Sequence, residues 1–215
     1  MPGLVIAGTE PVGGRILNTY NTLTTKTVSP VMEVRFHGRG GQGVVIASEV
    51  LAKAAFRMGF EVSSFPFFGV ERRGAPVTAF ARIDSKPIRN KSSIYEPDYV
   101  IVLDNSLLKG VDVLEGLKPG GTVLINYPDG SPLPPLPQSY RYYTLDANAI
   151  AAAHGIGSKV APIVNTAIMG GVAKMCDWVS LDAMLETIRA VAPVKKEENV
   201  AAAREAYERT REVTV

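Results

Sequence analysis

Two short stretches carry the residue types that could do chemistry: Gly38-Arg39-Gly40-Gly41-Gln42-Gly43 and Gly69-Val70-Glu71-Arg72-Arg73-Gly74. In the first, Gly38, Gly40 and Gly43 satisfy G-x-G-x-x-G. The stretch follows a strand candidate at 33–37 and precedes a helix candidate at 44–58. In that setting glycines let backbone amides approach an anion at a helix N-terminus, where the dipole favours phosphate. Arg39 and Gln42 add donors suited to a phosphate or a carboxylate. The plainer alternative is that the glycines only permit a tight strand-to-helix turn. In the second stretch, Arg72 and Arg73 place paired guanidinium groups on a glycine-hinged loop, an arrangement suited to phosphate or carboxylate capture. They could equally meet an acid of a partner chain.

The default reading of the glycine loop is dinucleotide binding. That fingerprint asks for an acidic residue about 20 residues on, at the end of the second strand, to hold the ribose. Glu61 precedes the second strand candidate, 62–68, and Glu71 comes late, beside two arginines. A phosphate site of another kind is therefore expected. No nucleophile–base pair is singled out by spacing, so no catalytic residue is assigned.

Composition narrows the classes. The 215 residues are 46% hydrophobic and 20% charged, with a net charge of +2, ordinary values for a soluble globular protein. No basic run with interleaved aromatics suggests nucleic acid. No apolar stretch nears the roughly 18–20 residues that span a bilayer, and no secretory leader pattern opens the chain. Cys176 is the single cysteine, which fits a reducing cytoplasm and excludes an internal disulfide. One cysteine and two distant histidines, His37 and His154, hold neither an iron–sulfur cluster nor a typical zinc ion. Any redox centre would sit on another chain.

The elements that must position the two loops follow from periodicity. Residues 62–68, 76–84, 99–103, 121–126 and 140–145 read as further strands, with 86–88 as a hairpin return. The apolar runs at 99–103 and 121–126 suit parallel strands buried on both faces. Helices are expected at 111–117, 147–154, 162–176 and 181–191, and from Pro193 to about 211; Asp146 and Ser180 are candidate N-caps. The proline-rich segment 128–137 reads as a rigid surface loop. Together these predict a Rossmann-like α/β fold, a doubly wound, mostly parallel sheet in a single domain over 32–215. Residues 1–31 lack helical periodicity and read as an N-terminal extension, loose or draped over a partner. Met32 could also be the true start.

Several residues then stop being generic. Val34-Arg35-Phe36-His37-Gly38-Arg39-Gly40-Gly41-Gln42-Gly43 and Phe67-Phe68-Gly69-Val70-Glu71-Arg72-Arg73-Gly74-Ala75-Pro76-Val77 closely resemble the gamma subunit of pyruvate:ferredoxin oxidoreductase and related 2-oxoacid oxidoreductases. So do Tyr95-Glu96-Pro97-Asp98-Tyr99, Pro162-Ile163-Val164-Asn165-Thr166 and Glu198-Asn199-Val200. The resemblance covers about 32–215 and does not extend to 1–31.

The resemblance implies alpha, beta and delta-type sister subunits that carry thiamine diphosphate, Mg2+ and 4Fe–4S clusters. The assembled, oxygen-sensitive enzyme would decarboxylate a 2-oxoacid, pass electrons to ferredoxin or another acceptor such as NAD, and deliver the acyl group to coenzyme A. This chain would be inactive alone and would bind coenzyme A. On that footing Gly38, Gly40, Gly41 and Gly43 would present amides. Arg39, Arg72 and Arg73 would meet phosphates or the substrate carboxylate. Gln42, Asn165 and Thr166 would supply neutral hydrogen bonds, with Lys159 as a further phosphate candidate or a solvated loop lysine. Asp104 and Asn126 end their strands on the ligand side, or merely cap. His37 is expected to be packed and Cys176 buried and inert. Two other readings remain: a scaffold subunit that touches no ligand, and a stand-alone nucleotide-binding reductase.

Overall fold

The computed structural model describes residues 31–67, 73–158 and 161–215. Strand β1 (Met32–Arg39) runs into the glycine loop and helix α1 (Val44–Arg57), then β2 (Glu61–Pro66), β3 (Pro76–Asp84) and β4 (Tyr99–Val102). Strands β5 (Thr122–Asn126) and β6 (Arg141–Leu145) follow, then helix α2 (Ala147–Ala153) and a small hairpin, β7 (Gly157–Ser158) with β8 (Ala161–Pro162). Helices α3 (Ile168–Met175), α4 (Leu181–Val191) and α5 (Lys196–Arg209) lead to β9 (Arg211–Val213).

Seven strands form one sheet in the order β2-β3-β1-β4-β5-β6-β9. Strands β1, β4, β5 and β6 pair in parallel, while β3 and β9 run against their neighbours. The expected α/β, mostly parallel architecture is therefore present. The apolar runs explain it: every residue of β5 is buried, as are Val100, Ile101 and Val102 of β4. Such strands need cover on both faces. The helices supply it on one side, with Ala47, Val50, Leu51 and Ala54 of α1 turned inward. On the other, Leu107, Val113 and Leu117 close over Val100, Val102 and Val123.

The caps at Asp146 and Ser180 form as expected, accepting from the amides of Ala149 and Ala183. Several boundaries differ. Residues 111–117 are turns, and the helical element is a short 3-10 turn at Asn105–Lys109. Gly116 has φ 68, and a Cβ there would lie 2.0 Å from the Tyr95 carbonyl, so the chain bends where the apolar spacing suggests a helix. Helix α3 begins at Ile168, because Pro162 is taken by the β7–β8 hairpin. The last helix ends at Arg209; Arg211–Val213 instead adds an edge strand to β6, with Arg141 bonded to Glu212 at 3.1 Å. Residues 86–88 form no strand. They lie in the 85–98 connection, which the buried Arg82 gathers from behind. Phe68, at the end of the second strand candidate, and the 1–30 part of the extension lie outside the described residues.

Arg82 donates to Glu33 Oε1 at 2.7 Å and to the carbonyls of Asn90, Ser92 and Ser93 at 3.2, 2.6 and 3.3 Å. Its removal leaves a half-buried carboxylate and three carbonyls without this donor. Arg82→Ala is expected to cost about 3 kcal/mol and lower the melting temperature by roughly 6–12 °C. Thermal unfolding followed by circular dichroism checks this.

Candidate functional site

Strand β1 has β3 on one side and β4 on the other, so the chain reverses its winding there. In open α/β sheets ligands bind at such a switch point, beyond the carboxyl ends of the strands. A cleft of about 1170 Å3 lies there, walled by Gly40, Gly41, Gln42, Arg73, Asp146 and Ile163 among others. A second cavity, of about 670 Å3, lies under the proline loop against Leu133, Leu136 and Val213, away from the glycine loop. Its walls mix prolines and aliphatic residues with Asp129, Gln138 and Arg211.

The glycines of the loop do different jobs. Gly38 lets helix α1 pack onto β1, since a Cβ there would meet Val44 Cγ2 at 2.5 Å. Gly40 ties the two loops together: its amide donates to Ala75 O at 2.8 Å and its carbonyl accepts from the Gly74 amide at 3.0 Å. Gly41 and Gly43 take positive φ, 96° and 76°, and turn the chain into α1. Among the described residues no acceptor meets the amides of Gly41, Gly43 and Val44. They sit at the positive end of a helix whose N-cap supplies no side chain.

The side chains divide likewise. Arg73 lines the cleft and has no hydrogen bond or ion pair to any described residue. Arg39, by contrast, is spent on the protein: it donates to Ser106 Oγ at 2.7 and 3.1 Å and to Gly74 O at 2.9 Å, and lies 3.5 Å from Asp104. Gln42 accepts from the Arg39 amide at 2.8 Å and donates to Asp104 at 2.7 Å. Asn165 is buried directly behind Gly43. Thr166 donates to Asn199 inside the fold. The structure thus gathers Gly40, Gly41, Gln42 and Arg73 at the cleft and sets Gly43 and Asn165 just behind it. Gly38, Arg39 and Thr166 act as supports. Arg72 and Lys159 lie outside the described residues.

Asn126 bridges strand ends, donating to Leu103 O at 2.8 Å and accepting from the Ala147 amide at 2.9 Å. Burial, with Arg35 adding to it, pushes His37 down to about 3, so its imidazole is neutral near pH 7. Burial pushes the Cys176 thiol well up, which makes it inert. Among the wall residues that escaped sequence reasoning are Asn148, Ile163, 44% exposed beside the β7–β8 hairpin, and Asp146, foreseen only as a cap.

A cleft of this kind fits a phosphate-bearing ligand but does not name an enzyme. Residues 33–209 match the family described as pyruvate ferredoxin/flavodoxin oxidoreductase. The chain belongs to that family. It is 51% identical over 184 residues to the common gamma subunit of the pyruvate/ketoisovalerate oxidoreductases of Pyrococcus furiosus, covering 84% of this chain and 97% of that one. With pyruvate synthase subunit PorC of Methanothermobacter marburgensis it shares 47% over 180 residues, covering 83% and 97%. The crystal structure of pyruvate oxidoreductase subunit PORC of Thermotoga maritima superposes with a TM-score of 0.70 at 30% identity, over 86% of this chain and 99% of that one. The 2-oxoglutarate:ferredoxin oxidoreductase of Magnetococcus marinus, solved with 2-oxoglutarate, coenzyme A and succinyl-CoA bound, shares the fold. Its TM-score is 0.65 at 22% identity, over 84% of this chain and 30% of that one. As a gamma-type subunit of a 2-oxoacid oxidoreductase, the chain is part of an enzyme that its own residues do not complete.

Proposed function

We propose that the cleft holds a phosphate group of coenzyme A within the assembled oxidoreductase. The observation that carries this is a glycine loop at the start of α1, with no acceptor among the described residues for the amides of Gly41, Gly43 and Val44, whose Gly41 lines the same cleft as Arg73. Amides at a helix start and an uncommitted guanidinium are complementary to a phosphate. Asp146, which also lines the cleft, disfavours a second anion there and suits a neutral or amide-bearing part of the ligand. Coenzyme A supplies a thiol that accepts the acyl group; this chain's residues bind and orient the carrier end.

Thiamine diphosphate with Mg2+ and the 4Fe–4S clusters belong to alpha, beta and delta-type sister subunits, and ferredoxin or another acceptor takes the electrons. A 4Fe–4S cluster does not fit this chain, whose single cysteine is 1% exposed in the core. One gamma subunit common to pyruvate and ketoisovalerate oxidoreductases in a relative supports a choice of oxoacid made on the sister subunits. No helix among the described residues is long and apolar enough to cross a membrane, and a cytoplasmic site of action suits the single buried thiol.

Arg73→Ala in the assembled enzyme should raise the KM for coenzyme A about tenfold, the loss of one charge-assisted contact of about 1.4 kcal/mol, with kcat at saturation nearly unchanged. An unchanged KM favours instead a subunit that only holds its sisters together. Binding of NAD(P)H by the chain would favour a nucleotide-dependent reductase.

A further inference from the structure

Two separate loops face the cleft, and one carboxylate at the end of β4 joins them. Asp104 Oδ1 accepts from the Ser106 amide at 2.9 Å and from the Ser106 hydroxyl. Its Oδ2 accepts from Gln42 Nε2 at 2.7 Å and lies 3.5 Å from Arg39 Nε. Gln42 in turn holds the Arg39 amide, which fixes the start of the glycine loop. The Arg39 side chain reaches across to Ser106 Oγ and to the Gly74 carbonyl, one residue beyond Arg73. The Gly40 pair of backbone bonds to Gly74 and Ala75 completes the clasp. Asp104 itself is not part of the cleft wall.

We propose that Asp104 is the positioning residue that sets the spacing between the amide cradle and Arg73, acting through Gln42 and Arg39. This rests on the reading of the cleft as the coenzyme A phosphate site. The chemistry suits a fixed anion. A carboxylate offers about four acceptor sites and donates nothing, so each donor that converges on it has one orientation to adopt. Burial raises its proton affinity, yet the hydrogen bonds from Ser106 and Gln42 and the nearby Arg39 outweigh that and hold its pKa below the usual value. The node therefore stays ionised at neutral pH. Plain capping of the 3-10 turn would need only the Ser106 amide. The contacts to Gln42 and Arg39 are what a cap does not require.

The test uses the assembled enzyme with Asp104→Asn, which keeps size and the Oδ1 cap but turns one acceptor into a donor facing Gln42 and Arg39. Expected is a tenfold or greater rise in the KM for coenzyme A, with kcat at saturation and the KM for the oxoacid within twofold of the parent. Asp104→Ala should be worse on the same axis. Ser106→Ala, at an exposed position, removes an Arg39 anchor without touching the core and should raise the coenzyme A KM severalfold, which keeps the test informative if the Asp104 variants fail to assemble. Arg73→Ala is measured alongside. If Arg73→Ala raises the KM while Asp104→Asn and Ser106→Ala do not, the positioning role is overturned and the cleft assignment stands. If none of them changes it, the cleft assignment itself fails. Equal losses in kcat and both KM values would mark Asp104 as merely structural.

Discussion

Gly43→Ala lowers the affinity of the assembled enzyme for coenzyme A by about a hundredfold, or roughly 2.7 kcal/mol, and destabilises the fold by about 3 kcal/mol. Both effects come from one atom. The backbone at Gly43 sits at φ 76, where an L side chain costs about 1–2 kcal/mol. An added Cβ would also lie 2.2 Å from Asn165 Nδ2 and 3.1 Å from Asn165 Cβ. Asn165 is buried and begins the turn into α3, so it cannot simply swing aside. The strain is relieved only by moving the loop, and the loop carries the amides. Coenzyme A kinetics and the thermal midpoint of the complex report the two losses separately. A variant with parental kinetics and midpoint would show that the loop tolerates displacement and that its amides do not set the affinity.

Gly170→Ala prevents accumulation of folded subunit. Helices α3 and α5 cross so closely at Gly170 that a Cβ there would lie 1.7 Å from the Ala203 carbonyl oxygen and 2.8 Å from the Tyr207 amide nitrogen. These are backbone atoms, so no rotamer change relieves the overlap. The helices must part by more than an ångström along a seam that includes Met169, Ala202 and Ala206, all fully buried. The cost exceeds about 4 kcal/mol, a large share of the roughly 5–15 kcal/mol that a domain has. Ala203→Gly does not rescue it, because the obstacle is a carbonyl and not a methyl group. Co-expression with the sister subunits followed by gel filtration checks this: the variant should be missing from the complex. Recovery at parental yield would mean a looser crossing.

The legible and illegible parts of this chain separate on physical grounds. Continuous apolar runs made β4 and β5 readable as buried parallel strands, because only burial on both faces tolerates Tyr99-Val100-Ile101-Val102. The glycine loop was readable as a strand–turn–helix junction, and its neighbours at 67–77 and 162–166 identified the family. What local pattern could not show was the role of contacts between residues distant in sequence. Arg39 reads as a ligand donor by type and adjacency, yet Ser106 and Asp104, more than 60 residues on, claim its guanidinium. Thr166 reads as a cleft hydroxyl, yet Asn199 on α5 takes it. The apolar spacing at 111–117 mimics a helix, but Gly116 must pass under the Tyr95 carbonyl. Strand β9 was missed because three residues with two charges carry no period; only the open edge of β6 makes them a strand.

The most direct test of the central claim is the structure of the assembled enzyme with coenzyme A bound, determined without oxygen. The account predicts a phosphate oxygen within about 3 Å of the amides of Gly41 and Gly43, with the Arg73 guanidinium on the same group. Coenzyme A held wholly by sister subunits, with this cleft filled by solvent, would contradict it.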